Sequence, residues 1–449
     1  NYENMDFGYF KLVCLMTWWC CGNTSGPLHL TPLIDEGKIN LAVELSEVKD
    51  PLMLINRSYS GFITTDRERR NHLFFWFFPA VYDTKAPLMV WLNGGPAISS
   101  MFGLLYENGP IRTKTLENGD IWYERRPQSW ADPFSMLYID NPVGTGYSYS
   151  ETNSYKTKQD EYSQELYLFI EQFYLLFPDY LHRELYIGGQ SYAGKYVPAF
   201  AHQIHTRILE NKSVIPLTGI YMGGPYFDPL VQSAHFCDYY YSMGAIAYSQ
   251  LLKCKQNINE LSNLVNYGNL ENENFRSLLV KAFPRLTHNS ANNYATGENP
   301  GRVLIKQLME QDDMRKALHV SDIKYAVINY YLLDQYISDF LVSTKSKLAV
   351  LLDNYKVLIF TGDFDGLITS PMVEAALMTT SWSLQEQYNI SARSLWKVGD
   401  HINGFYTKTG QFCRVVVHGA GHQVPHDQPE STLEMMINFV QNGCILKTM

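Results

Sequence analysis

The chain has 449 residues and a formal charge of −9; the length suits one large core carrying an insertion, and the charge argues against a nucleic-acid partner. Apolar residues make up 46% and aromatic residues 14%, which excludes disorder and leaves ample material for a core and a substrate-gripping cleft. The basic run Arg67-Glu68-Arg69-Arg70 is short, carries an acid and reads as a solvated turn.

Taken in order, Met5 and Lys11 precede the apolar stretch Leu12 to Cys21, which has the length of a signal-peptide core and is followed by the small residues Gly22 to Gly26. The stretch falls short of the ~20 residues that span a bilayer, and no later one qualifies, so stable membrane insertion is not expected. Residues 1–26 are read as a secretory signal and N-terminal extension, with a buried apolar segment as the alternative. Acceptor sequons at Asn23, Asn56, Asn211 and Asn389 agree with a secretory route. Of seven cysteines, Cys14, Cys20 and Cys21 lie in that signal. Cys237 and Cys254 are candidates to pair, whereas Cys413 sits in an apolar strand pattern and reads as a buried thiol. No metal-ligand spacing is present, and no cofactor is expected.

Tyr59 to Thr65, Leu73 to Phe78, Pro87 to Leu92 and Phe134 to Asp140 read as strands, rich in aromatic and branched residues. Between Lys158 and Phe177, apolar residues at 162, 166, 169, 173 and 176 predict an amphipathic helix that Pro178 stops. Strands at Leu185 to Gln190, Leu217 to Gly223, Tyr355 to Thr361 and Phe412 to Val417 follow, so the chain alternates as for a parallel sheet covered on both faces. Ser431 with Glu434 reads as a capping box opening a final helix. The interval 230–311 breaks this rhythm with polar, Asn-rich helical pieces such as Asn257 to Glu273. It is read as an inserted helical cap between two parts of one domain, 27–229 and 312–449, although surface elaboration explains it too.

Within this frame, Ser191 stands in Gly189-Gln190-Ser191-Tyr192-Ala193, the small-x-Ser-x-small pattern of a nucleophile elbow. Such an elbow turns sharply from strand to helix, holding its serine strained and exposed and presenting the next backbone N–H to the atom under attack. Downstream come an acidic loop at a strand's carboxyl end, Thr361-Gly362-Asp363-Phe364-Asp365, and His422 in Gly421-His422-Gln423. Serine, acid and histidine in that chain order predict the α/β-hydrolase fold: a mostly parallel central sheet with helices on both faces and an inserted cap.

The strings WLNGGP from Trp91, SMLYIDNPVGTG from Ser135, GQSYAGKYVPA from Gly189, TGDFD from Thr361 and GAGHQVP from Gly419 resemble the serine carboxypeptidase family, and within it the vitellogenic-like branch, from about Leu30 to Val440. The resemblance implies Ser191, Asp365 and His422 as a triad, with Asp363 supporting. It implies the Gly95 and Tyr192 N–H groups as the oxyanion hole, and Asn93, Gly94, Glu107 and Gln190 as the site for the substrate's terminal carboxylate. The implied activity is serine-type release of C-terminal residues from peptides or proteins through an acyl-enzyme, in the secretory pathway, either outside the cell or in a lysosome or vacuole. Monomer and homodimer both stay open.

The chain departs from the family at three positions. Where the family follows Gly-Gly-Pro with glycine and cysteine, this chain has Ala97 and Ile98, so the usual disulfide cannot form there. A left-handed Ala97 costs on the order of 1 kcal/mol and threatens the set of Gly95. Gln190 stands where the family pairs a glutamate with the position of Glu107; without that like-charged neighbour, Glu107 is expected to titrate in its ordinary range. Two other readings therefore remain: an acyltransferase on the same scaffold, and a weakly active or inactive binding protein.

Overall fold

The computed structural model of the chain describes residues 26–49, 57–266, 292–293, 295–296 and 301–445. The expected signal stretch Leu12 to Cys21, the sequons at Asn23 and Asn56, and residues 267–291 of the expected cap lie outside the described residues. β1 (Tyr59–Asp66), β2 (Asn71–Phe78) and β3 (Leu88–Leu92) open a sheet; a separate hairpin of β4 (Ile111–Thr115) and β5 (Ile121–Arg125) follows. β6 (Ser135–Ile139), β7 (Tyr149–Ser150), β8 (Leu185–Gln190), β9 (Leu217–Gly223), β10 (Lys356–Gly362), β11 (Ser394–Val398), β12 (His401–Thr409) and β13 (Phe412–Val417) complete the sheet.

The order across it is β1-β2-β6-β3-β8-β9-β10-β13-β12-β11, with β7 on β2. The middle, from β6 to β13, is parallel; both margins are antiparallel. Parallel strands are covered on both faces, so they need unbroken apolar runs, and all five residues of β3, Leu-Met-Val-Trp-Leu, are buried. Their alternation divides the core. Leu88, Val90 and Leu92 join the cluster of Tyr162, Leu166 and Phe169 from helix α1 (Gln159–Leu176), while Met89 and Trp91 join Tyr186, Tyr221 and Phe439 on the other face. Helix α2 (Ala193–Leu209) leaves the end of β8 and packs beside α1.

Cys237 and Cys254 form a disulfide with Cα atoms 6.0 Å apart, tying the helix Phe236–Ser242 to α3 (Tyr248–Asn266). Helix α4 (Ser370–Met378) follows the acidic loop after β10. The last helix, α5 (Pro429–Asn442), starts two residues before Ser431, and the expected Ser431–Glu434 capping box does not open it: Pro429 stands in its first turn, where a missing N–H loses nothing.

Cys413 is not a free thiol but is bonded to Cys444. Helix α5 ends at Gly443, left-handed with φ 74°, and the turn beyond it returns Cys444 to β13. The bond closes a loop of sequence separation 31. Replacing both cysteines by alanine is expected to lower unfolding free energy by about 3–4 kcal/mol, read from urea unfolding; an unchanged midpoint would refute this. The hairpin β4–β5 and strand β11 escape sequence reading because each strand buries one residue, Ile111, Tyr123 and Trp396 respectively, too few for an alternating pattern. No helix among the described residues is long and apolar enough to cross a membrane. The sequon asparagines Asn211 and Asn389 are both exposed.

Candidate active site

Six strand residues of β8, Leu185–Gln190, are buried and deliver Ser191 at the carboxyl edge of the sheet. Ser191 has φ 61°, a left-handed conformation that costs a non-glycine residue about 1–3 kcal/mol and persists where the surroundings over-determine it. They do so here: the Ser191 N–H donates to Gly223 O at 2.9 Å, and Ser191 O accepts from the Gly194 and Tyr226 N–H groups, each at 2.9 Å. Gly189 lies against Leu92 O and Ala193 Cβ with no room for a side chain, which accounts for the small residues around the serine.

Adjacent to the elbow is the loop that leaves β3. A Cβ on Gly94 would collide with the Tyr192 nitrogen and lie 2.8 Å from Ser191 Cβ, so the loop backbone rests directly on the elbow. Gly95 has φ 114° and Ala97 φ 62°: the left-handed alanine anticipated from the sequence is present. Among the described residues, neither the Gly95 N–H nor the Tyr192 N–H donates to another protein group. Asp140, at the end of β6, anchors this loop: its Oδ1 accepts from Ser99 Oγ at 2.6 Å and the Ser100 N–H at 2.9 Å, and its Oδ2 from the Tyr147 N–H at 2.9 Å. Burial pushes its carboxyl up to about 6.

Asp365 and His422 meet behind the elbow. Asp365 Oδ2 lies 2.8 Å from His422 Nδ1, and both residues are buried. The other oxygen, Oδ1, accepts from the Leu367 and Ile368 N–H groups at 2.8 and 2.9 Å, so the carboxylate is aimed by its own loop. The acid and histidine loops are stitched together by Asp363 N–H to Val417 O and Phe364 N–H to Ala420 O, at 3.1 and 2.8 Å. A Cβ on Gly224 would lie 2.8 Å from Asp365 Oδ2 and 3.3 Å from His422 Nδ1. Because β9, which ends at Gly223, pairs with β8 at Gln190, the histidine–aspartate pair stands one strand from Ser191. Asp363 points elsewhere, to His418 Nδ1 at 2.6 Å and the Gly419 N–H at 2.9 Å.

The third group lies beside the serine. Asn93, Glu107 and Gln190 are all buried. A short π-helix, Gly103–Asn108, carries Glu107 inward. Asn93 Oδ1 accepts from Trp91 Nε1 at 2.7 Å and the Gly103 N–H at 3.1 Å, leaving its amide nitrogen to donate. Gln190 Nε2 donates to Glu107 Oε1, while Glu107 Oε2 is buried with no partner among the described residues. The expectation that Glu107 titrates in its ordinary range is overturned. Burial pushes it up to about 8, against the opposing pull of Asn93, Gln190 and Arg126. Desolvation, with a smaller push from the Asp427 carboxylate, does what a glutamate at 190 was expected to do.

Lys195 and Asp339 also support the elbow, in positions that the sequence reading did not assign. Tyr192 Oη donates to Asp339 Oδ2 at 2.5 Å. Lys195, wholly buried, donates to the carbonyls of Asp339 and, at 2.6 Å, Val342, and burial pushes its amine down to about 7. Lys195 lies within the string GQSYAGKYVPA, but nothing local marks Asp339, 144 residues away, as its neighbour.

The profile of the serine carboxypeptidase family matches residues 48–442. The "Probable serine carboxypeptidase CPVL" of Pongo abelii is 33% identical over 438 residues, covering 93% of this chain and 90% of the relative. The vitellogenic carboxypeptidase of Aedes aegypti is 31% identical over 443 residues, covering 94% and 91%. Among solved structures, a prohormone-processing carboxypeptidase of Saccharomyces cerevisiae superposes with a TM-score of 0.76 at 21% identity, over 89% of this chain and 96% of that one, a likeness of fold.

Proposed function

The chain belongs to the serine carboxypeptidase family, a hydrolase of the exopeptidase kind on the α/β-hydrolase fold, and from that premise we propose how its residues perform the reaction. Ser191 Oγ attacks the carbonyl of the last peptide bond, and His422 takes its proton and returns it to the departing amine. Asp365 holds the ring with Nδ1 protonated, which leaves Nε2 as the base, and stabilises the imidazolium that forms. The Gly95 and Tyr192 N–H groups receive the oxyanion. Water then attacks the acyl-enzyme by the same path in reverse roles.

The observation that carries the exopeptidase reading is Glu107. A carboxyl that keeps its proton to about pH 8 and has one oxygen taken by Gln190 holds that proton on Oε2, which has no protein partner among the described residues. It is a donor awaiting an acceptor, and a substrate's terminal carboxylate supplies one. Asn93, Gly94 and Gln190 add amide donors, and a continuing chain, lacking the carboxylate, leaves these groups unpaired. KM for a peptide with a free C-terminus is therefore expected to stay level through acid and neutral pH and to rise above about pH 8, as Glu107 ionises and repels the carboxylate. Glu107→Gln should remove the rise. A rise that persists in the variant refutes this role.

The interval 230–311 serves as a cap, a role supported by the 2.5 Å bond from the His422 N–H to Asn292 O and the 2.9 Å bond from Asn293 Nδ2 to Asp427. The two disulfides agree with the secretory pathway; the final compartment is proposed to be extracellular or lysosomal. The enzyme reading is tested by labelling Ser191 with a fluorophosphonate and comparing a free C-terminus with its amide. Labelling with release from the free acid alone is expected, whereas no labelling would favour the binding protein, and acyl transfer to an added alcohol or amine in place of water would favour the acyltransferase.

A further inference from the structure

The loop carrying Gly95 is held from behind by a segment more than two hundred residues away in the chain. Residues 325–329 run antiparallel to 97–99: the Ser99 N–H donates to Val327 O at 3.0 Å, the Asn329 N–H donates to Ala97 O at 3.1 Å, and Ile98 and Ile328 are bridge partners. Tyr325 Oη donates to Ser99 Oγ at 2.8 Å. The same segment grips the loop after β6, through reciprocal Gly146–Ala326 bonds of 3.0 Å and Asn329 Nδ2 to Gly144 O at 2.8 Å.

With this bond pattern, Ile98 and Ile328 form a non-hydrogen-bonded pair, the kind whose Cα atoms stand about 4.5 Å apart with the side chains brought close, and both pack against the same hydrophobic cluster. Ile98 in turn packs on Gly95, where an added Cβ would meet Ile98 Cγ1 at 2.9 Å. The chain of contacts from Ile328 to the Gly95 backbone is therefore two residues long. The left-handed Ala97 between them is over-determined in the same way as Ser191, since its carbonyl is spent on Asn329.

We infer that the Ile98–Ile328 pair is a positioning device for the oxyanion loop, a noncovalent clasp at the position where the family resemblance leads one to expect a cysteine. The inference rests on the assignment of Gly95 as an oxyanion donor. An N–H aimed at the oxyanion matters in the transition state far more than in the bound substrate. Loosening the clasp consequently lowers kcat and leaves KM in place.

Ile328→Ala trims the clasp at its far end and touches no reacting group. Its kcat is expected to fall about tenfold or more, short of the 10²–10³ that deleting a donor costs, with KM unchanged within about twofold. The pair Ile98→Cys with Ile328→Cys closes a disulfide, because about 4.5 Å lies inside the Cα range of about 4.4–6.8 Å that such bonds take. Oxidised, it should turn over like the natural chain; a thiol should lower its kcat to the level of Ile328→Ala, beyond any loss the natural chain shows in the same thiol. Equal kcat in the natural chain, Ile328→Ala and the reduced pair overturns the clasp. So does a loss in Ile328→Ala that the oxidised pair fails to restore, since a general packing defect would persist. Failure of the natural chain to label at Ser191 overturns the active-site reading instead, so the two failures are distinguishable.

Discussion

Ser191→Ala is expected to lower turnover by roughly 10⁴–10⁶ and to abolish fluorophosphonate labelling while leaving the unfolding midpoint unchanged. The loss is large because the proposed mechanism has no other nucleophile for the acyl-enzyme to form on: in it, His422 and the Gly95 and Tyr192 N–H groups act only on a bond that Ser191 Oγ makes. The midpoint is spared because the elbow is held by backbone bonds, from the Ser191 N–H to Gly223 O and from the Gly194 and Tyr226 N–H groups to Ser191 O, none of which uses the hydroxyl. Alanine meets the same left-handed conformation at about the same cost. Assaying peptide release and thermal unfolding on one preparation separates the two effects, and turnover within tenfold of the natural chain would remove Ser191 from its role.

Asp365→Asn is expected to cost about 10⁴ in kcat, and Asp363→Asn far less. The asymmetry follows from where each carboxylate is aimed. In Asp365→Asn, the amide oxygen takes the place of Oδ1, accepting from the Leu367 and Ile368 N–H groups. That turns the amide nitrogen toward His422 Nδ1, in the position of Oδ2. A donor there forces Nδ1 to accept, so the ring's proton moves to Nε2, the nitrogen needed as the base. At 363, the partners are the exposed ring of His418 and the Gly419 N–H, so asparagine there loosens the histidine loop without reversing the catalytic tautomer. kcat for the two variants on one peptide checks the ranking, and a larger loss at 363 would transfer the acid's role to it.

How much was legible in the sequence depends on how far apart in the chain the deciding contacts lie. The parallel strands could be read because burial on both faces leaves runs such as Leu88–Leu92 without a polar residue. Helix α1 could be read because one face must meet the sheet. The elbow was legible for the same local reason: small residues at 189 and 193 are dictated by Leu92 O and the turn itself. The left-handed Ala97 was legible only as a condition, from the glycine that the resembled family has there, and the structure gives it φ 62°.

Other features are properties of contacts between distant segments, and no local pattern encodes them. Glu107 holds its proton because folding removes water from around it, and a sequence shows neighbours but not desolvation. Cys413 lies in an apolar strand like a buried thiol, and only the return of the chain past Gly443 brings Cys444 to it. Lys195 and Tyr192 both meet Asp339, and Ile98 meets Ile328, across separations that leave no periodic trace. The sequence by itself determined the family and the sheet and supplied the candidates for the reacting side chains, because those depend on residue type at short spacing. The tertiary structure alone decided how the Asp365 carboxylate is aimed at the imidazole, which acid stays protonated and what the loop after β3 rests against, because aim and dielectric exist only after the distant segments have packed.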